Sequence, residues 1–99
     1  LWVVGANPLA GDAKLASSKA FVVVHELFLT DTAKKADVVF PAASAYEKNG
    51  TVTNVTGEVQ KLTRGPKVMG TKTDLEIMGL IGKEMGLQLG IWTPDKVFD

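Results

Sequence analysis

The sequence predicts an α/β fold built on a short parallel sheet, and three observations carry that prediction. Apolar runs of strand length recur at residues 1–4, 21–24 and 37–40, rich in Val and aromatic side chains. Polar stretches with helix-forming residues separate them, at residues 12–19 and 30–36. A strand returning parallel to its predecessor needs a crossover of about a dozen residues or more, and these gaps supply it. Strand twist makes such crossovers right-handed.

The elements follow in order. Leu1-Trp2-Val3-Val4 stops at Gly5 and reads as a strand buried on both faces. Pro8 then breaks the pattern, because it lacks a donor and pushes Asn7 to extended geometry. Asp12 opens a stretch expected to form a two-turn helix through Lys19. Phe21-Val22-Val23-Val24 is the clearest strand, with His25 at its end. Thr30 caps a short helix, and Asp37-Val38-Val39-Phe40 is a third buried strand closed by Pro41.

The second half changes character. Asn49-Gly50 is a tight-turn signal, and residues 51–54 and 58–62 alternate as a two-stranded ribbon would. Thr73 and Glu76 have the spacing of a capping box, which starts the best helix in the chain. Ile77, Met78, Ile81 and Met85 share one arc of that helix and should be buried, with the two Met residues as core fillers. Gly79 and Gly82 are expected to admit a neighbouring backbone, and Gly86 to end the helix in left-handed geometry. Residues 91–94 read as irregular. The expected organisation is one domain segment of a longer chain. It comprises a βαβαβ half (1–45), a loop and ribbon (46–64), a helix (73–86) and a tail (87–99).

Composition excludes several chemistries. Eleven basic residues balance eleven acidic ones, and Arg64 is the lone Arg, which argues against a nucleic-acid partner. There is no Cys, hence no disulfide, thiolate metal site or iron–sulfur ligand in these residues. One His leaves no His-pair metal site, and no apolar run is long enough to insert in a membrane. The loop Gly5-x-Asn7-Pro8-x-x-Gly11 matches neither the dinucleotide fingerprint nor a P-loop, and reads as a plain turn at a strand's carboxyl end. The α/β rule that ligands gather at that end keeps it in view. His25 and Glu26 are strand neighbours on opposite faces, so they form no dyad, and Glu47 and Glu58 read as solvated. Asn49-Gly50-Thr51 and Asn54-Val55-Thr56 match the glycosylation pattern but read as turn chemistry. Residue chemistry alone yields no catalytic apparatus.

The ordered string is more specific than its parts. Val3-Val4-Gly5-Ala6-Asn7-Pro8 precedes Val22-Val23-Val24-His25-Glu26-Leu27-Phe28-Leu29-Thr30-Asp31-Thr32-Ala33. Then come Ala36-Asp37-Val38-Val39-Phe40-Pro41-Ala42-Ala43 and Tyr46-Glu47-Lys48-Asn49-Gly50-Thr51-Val52-Thr53-Asn54. This succession resembles the molybdopterin oxidoreductase family, which includes formate dehydrogenases and the large iron–sulfur subunit of NADH-quinone oxidoreductase (respiratory complex I).

Residues 65–77 resemble the complex I subunit more than the formate dehydrogenases. The family's ribbon ending, Asn-x-Glu-Gly-Arg-x-Gln, here has Thr56 for Glu and Glu58 for Arg, and the usual Gln after the second strand is His25. Arg to Glu reverses the sign of a group that would face an anionic cofactor, which favours the subunit that holds no molybdenum. The resemblance therefore implies a Rossmann-like scaffold segment of complex I, supporting NADH-to-quinone electron transfer. Its iron–sulfur clusters would lie in a preceding part of the parent. Its partners would be the rest of that subunit and neighbouring peripheral-arm subunits, on the cytoplasmic face of the membrane. The alternative is a cofactor-contacting segment of a molybdopterin-dependent enzyme such as formate dehydrogenase. In such enzymes the corresponding contacts map onto Asn7, Thr30, Thr32, Asp37, Glu47, Thr51, Asn54 and Gln60, vestigial under the first reading.

Overall fold

The computed structural model describes residues 1–68 and 70–98; Met69, in the linking stretch, and Asp99 lie outside the described residues. The chain is α/β and forms two compact units, residues 1–42 and 43–99.

The first unit holds β1 (Trp2–Val4), β2 (Val23–Glu26), α1 (Asp31–Lys35) and β3 (Val38–Pro41). The strands pair in the order β1-β2-β3, all parallel, with Val3 beside Val24 and Val24 beside Val39. Side chains alternate along a strand, so Val3 and Val24 share one face, where Ala33 of α1 completes the core. Val22 and Ala36 pack against its margin. On the opposite face lie Trp2, Val4, His25 and Phe40.

Burial on both faces holds for the central strand alone. Val24 and His25 are fully buried, whereas Trp2 and Val4 of β1 remain 46% and 38% exposed and Val39 of β3 40%. Only the middle strand has a neighbour on each side, and α1 is short, so the expectation of doubly buried β1 and β3 fails. Two boundaries also move. β2 begins at Val23 rather than Phe21 and includes His25 and Glu26, and β3 runs through Pro41, which pairs with Glu26.

The crossover from β1 to β2 is not the regular helix expected over residues 12–19. It consists of two 3-10 segments, Pro8–Ala10 and Ala13–Ser17. Asp12 does cap, accepting from the Lys14 N–H at 2.9 Å, but Ser17 and Ser18 bond locally and end the helix early.

In the second unit β4 (Gly50–Thr53) and β5 (Val59–Leu62) form the antiparallel ribbon. Its turn is built on Asn54 and Gly57 (φ +86°), not on Asn49-Gly50. Gly50 opens β4, and the Asn49 side chain accepts from the Arg64 N–H at 2.9 Å across the ribbon's open end. α2 (Asp74–Glu84) starts with the expected capping box. Thr73 Oγ1 accepts from the Glu76 N–H, and the Glu76 carboxylate accepts from the Thr73 N–H at 2.9 Å.

Ile77 and Gly82 are buried, but Met85 is the C-cap and 71% exposed, so it fills no core. Gly86 (φ +81°) ends the helix, and the Leu87 N–H donates to the Gly82 carbonyl at 2.8 Å. What approaches Gly82 is chiefly a side chain: a Cβ there would lie 2.6 Å from Leu89 Cδ1. The tail carries a further turn of helix, α3 (Pro94–Phe98), started by Pro at a position where a missing N–H costs nothing.

Replacing Thr73 with Ala removes one half of the capping box. The Thr73→Ala chain is expected to unfold with about 1 kcal/mol less stability in urea titration.

Candidate functional site

The carboxyl ends of the parallel strands bring together three of the eight predicted site residues. Asn7 follows β1 after Gly5, whose φ of +58° turns the chain sharply while its N–H donates to the His25 carbonyl at 2.9 Å. Thr30 and Thr32 flank the start of α1, after β2. Asn7 Oδ1 accepts from both donors of Thr32, the hydroxyl at 2.7 Å and the N–H at 3.2 Å. Thr32 Oγ1 in turn accepts from the Leu9 N–H at 3.1 Å. These donors fix the amide orientation: the oxygen faces Thr32, and Nδ2 has no protein acceptor among the described residues.

Thr30 caps α1, accepting from the Ala33 N–H at 3.2 Å. With the Thr32 N–H bound to Asn7 and acidic Asp31 in the first turn, α1 offers no vacant positive terminus to an anion. Asn7, Thr30 and Thr32 make this edge polar. Nothing lies within 4 Å of where a Gly5 Cβ would stand, so the turn beside Asn7 is open.

Asp37 is elsewhere, at the opposite end of the sheet. Its Oδ2 accepts from the Val22 N–H at 2.7 Å and locks the entry to β2. There it acts as a structural clamp.

The remaining candidates lie in the second unit. Glu47 is buried, contrary to the solvated reading, and forms a capping box with Ser44. Its carboxylate accepts from the Ser44 N–H at 2.8 Å and the Val68 N–H at 2.7 Å, with Thr71 Oγ1 at 3.4 Å. Those bonds, Ser44 first, hold its carboxyl down to about 2. Thr51 and Gln60 are exposed on the ribbon; Thr51 pairs with Lys61 and Gln60 with Val52, which places the two on opposite faces.

Asn54 builds the ribbon turn. Its Oδ1 accepts from the Thr56 N–H, the Thr56 hydroxyl and the Glu58 N–H at 2.7–3.0 Å. Its Nδ2 donates to Glu58 at 2.8 Å, so Asn54 serves the turn as expected, whereas Asn49 instead ties the ribbon's open end through the Arg64 N–H. Glu58 also accepts from the Thr56 hydroxyl at 3.2 Å, and these two bonds hold its carboxyl below the usual range. Thr56 and Glu58, the two departures from the family pattern, thus bond to each other. The charge of Glu58 is occupied in its own turn.

His25 is the functional-looking residue that sequence reasoning undervalued. It lies within β2, fully buried, and its Nε2 accepts from the Trp2 indole N–H at 2.9 Å. Phe40 meets it edge-on at 5.7 Å between ring centres. The available signal was the registry of three aromatic residues on adjacent strands, which needs the strand pairing to be read.

Among the described residues no cluster of His, Cys, Asp or Glu is placed to hold a metal ion, and no helix is long and apolar enough to cross a membrane. The class defined by fold and site is therefore a parallel α/β segment with a polar edge at the carboxyl ends of its strands. The family model of the molybdopterin oxidoreductases matches residues 1–84, and the chain belongs to that family.

Among its relatives, the F420-dependent formate dehydrogenase 2 subunit alpha of Methanococcus maripaludis is 37% identical over 108 aligned positions, covering 100% of this chain and 16% of that protein. The F420-dependent formate dehydrogenase 1 subunit alpha of the same organism is 33% identical, covering 87% and 14%. The F420-dependent formate dehydrogenase subunit alpha of Methanocaldococcus jannaschii is 44% identical, covering 65% and 10%. The chain thus spans at most 16% of the length of these relatives. All three carry the name formate dehydrogenase, which backs the alternative drawn from the sequence and not the complex I assignment.

Two outcomes test this geometry. Asn7→Ala strands the buried N–H and hydroxyl of Thr32 and should lower stability by about 1–3 kcal/mol in urea titration. The Glu47 carboxyl is lower in the folded chain than its ordinary 4.5, so its contribution is complete above pH 4.5 and fades as pH falls toward about 2. Glu47→Gln should flatten that stretch of the stability-against-pH curve.

Proposed function

We propose that this chain is a cofactor-contacting segment of a molybdopterin-dependent oxidoreductase of the formate dehydrogenase type. The observation that carries the reading is the Asn7 carboxamide, fixed by Thr32 at the open carboxyl edge of the sheet with its Nδ2 uncommitted. Open α/β sheets take ligands outside the carboxyl ends of their strands. The family match and the names of the relatives supply the class of ligand.

The residues present fit part of such a cofactor. A fused-ring edge that accepts hydrogen bonds suits Asn7 Nδ2, and the Gly5 turn leaves room for a planar group. Phosphate does not suit this edge, because α1 is capped by Thr30 and fronted by Asp31. Asn7 would hold the cofactor directly, with Thr30 and Thr32 keeping the loop in shape. When bound, the group supplies the redox chemistry; the chain's own residues bind and orient it. Asp37, Glu47 and Asn54 act at one remove, as clamps of the backbone. Any iron–sulfur cluster of the parent would be ligated outside these residues, which contain no Cys. The partner of this segment is the remainder of its own polypeptide.

Glu58 stands where the family pattern has Arg. It stays ionised, but its carboxylate is committed to the ribbon turn by Asn54 and Thr56.

The experiment uses the full-length protein, assayed for molybdenum or tungsten, for pterin, and for formate-dependent reduction of a dye. Stoichiometric metal and pterin with formate oxidation are expected. Asn7→Ala should lose most of the pterin, whereas Thr73→Ala, a cap deletion of comparable cost at about 1 kcal/mol, should retain it. A parent free of pterin and metal, or equal retention in the two variants, would overturn the reading.

A further inference from the structure

The parallel sheet of the first unit ends in two edges, and they are not alike. The Val38 and Ala42 N–H groups donate to the Val22 and Glu26 carbonyls, each at 3.2 Å, so residues 38, 40 and 42 turn their backbone groups toward β2. Val39 and Pro41 are left on the outer side, and Pro41 has no donor to offer there. A proline in that place closes the β3 edge to a further ladder.

The β1 edge is open. The Leu1 carbonyl accepts from the Val23 N–H, and the Gly5 N–H donates to the His25 carbonyl, each at 2.9 Å, so residues 1, 3 and 5 face β2. The N–H and C=O groups of Trp2 and Val4 then point outward, and among the described residues no protein group meets them. This edge carries neither proline nor charge: residues 1–5 read Leu-Trp-Val-Val-Gly. Leu1, Trp2 and Val4 are all exposed, which leaves apolar side chains beside the unmet backbone groups.

We propose that a further strand, parallel to β1 and contributed by another segment of the same polypeptide, pairs with this open edge. Three observations choose that occupant. Donors and acceptors alternate along the outer side of β1, a pattern that an extended backbone completes. The sheet is all parallel, and such sheets are covered on both faces, so the added strand runs in the same direction. The relatives supply the source, because this chain spans at most 16% of their length and a polypeptide of their size holds further segments. A strand tethered in the same chain also loses less freedom on pairing than a separate molecule does. Its side chains lie beside Trp2 and Val4 on one face and Val3 on the other, which calls for an uncharged, apolar run. The inference rests on the proposed reading only in placing the segment within a longer oxidoreductase chain; it uses no cofactor contact.

The test uses the full-length protein. Hydrogen exchange read at single residues and corrected for intrinsic rates should find the Trp2 and Val4 amides within about ten-fold of the Val3 amide, which faces β2; ten-fold is the factor one hydrogen bond supplies. Photo-crosslinking then names the occupant. Trp2→p-benzoylphenylalanine keeps an aromatic ring beside the edge, and mixing isotopically light and heavy protein separates contacts within a chain from contacts between copies. Crosslinks should reach an uncharged apolar segment outside residues 1–99, light to light and heavy to heavy. Should that variant not fold, the wild-type exchange is repeated across a dilution series and should stay slow. Fast exchange at Trp2 and Val4, protection that fades on dilution, light-to-heavy crosslinks, or crosslinks to another protein would each overturn the proposal. Protein that holds pterin yet exchanges fast at both amides would sink the added strand and leave the cofactor reading standing. Protein free of pterin with both amides slow would do the reverse.

Discussion

The double acceptance by Asn7 Oδ1 of the Thr32 N–H and hydroxyl is the constraint on which the rest of the first unit turns. A five-residue helix such as α1 has too few internal bonds to form by itself. Asn7 binds one of its free N-terminal donors and Thr30 another, which is how so short a helix persists. The same contacts set the height of the loop after β1 and turn the free amide nitrogen outward. They also decide what the site refuses. With those donors consumed and Asp31 beside them, the usual phosphate-binding power of a helix start is absent, and a neutral hydrogen-bonding ligand is favoured.

A second constraint of the same kind governs the other unit. Glu47 is a buried carboxylate stabilised by the N–H groups of Ser44 and Val68. Its charge holds the segment before the ribbon to the segment after it. Glu58 shows the same effect on the surface, where Asn54 and Thr56 hydrogen-bond the carboxylate and keep it ionised. A charge counted from sequence thus does not say which groups its carboxylate is committed to. The complex I reading leaned on that count.

Much of the fold was legible because local chemistry and global packing agreed. The Val-rich run around Val24, the Thr30 cap and the Thr73–Glu76 box each have one short-range physical cause. The failures share a different cause. Ser17 and Ser18 compete for backbone bonds and shorten the predicted helix to 3-10 turns. Asn49-Gly50 has turn chemistry, but Asn49 finds the Arg64 N–H fifteen residues away and the turn moves to Asn54. Of the site, the proximity of Asn7 and Thr32 depends on the parallel pairing, which the periodicity foretold. The burial of Glu47 and His25 depends on loop closure and strand register, which no short window contains.

The central claim is that the carboxyl edge of this sheet touches the pterin of an oxidoreductase, and an experimental structure of the full-length protein isolated with its native cofactor tests it most directly. The account predicts a ring edge of the cofactor within hydrogen-bond distance of Asn7 Nδ2. A cofactor seated away from the Gly5–Asn7 turn, with Asn7 facing only protein or solvent, would contradict it.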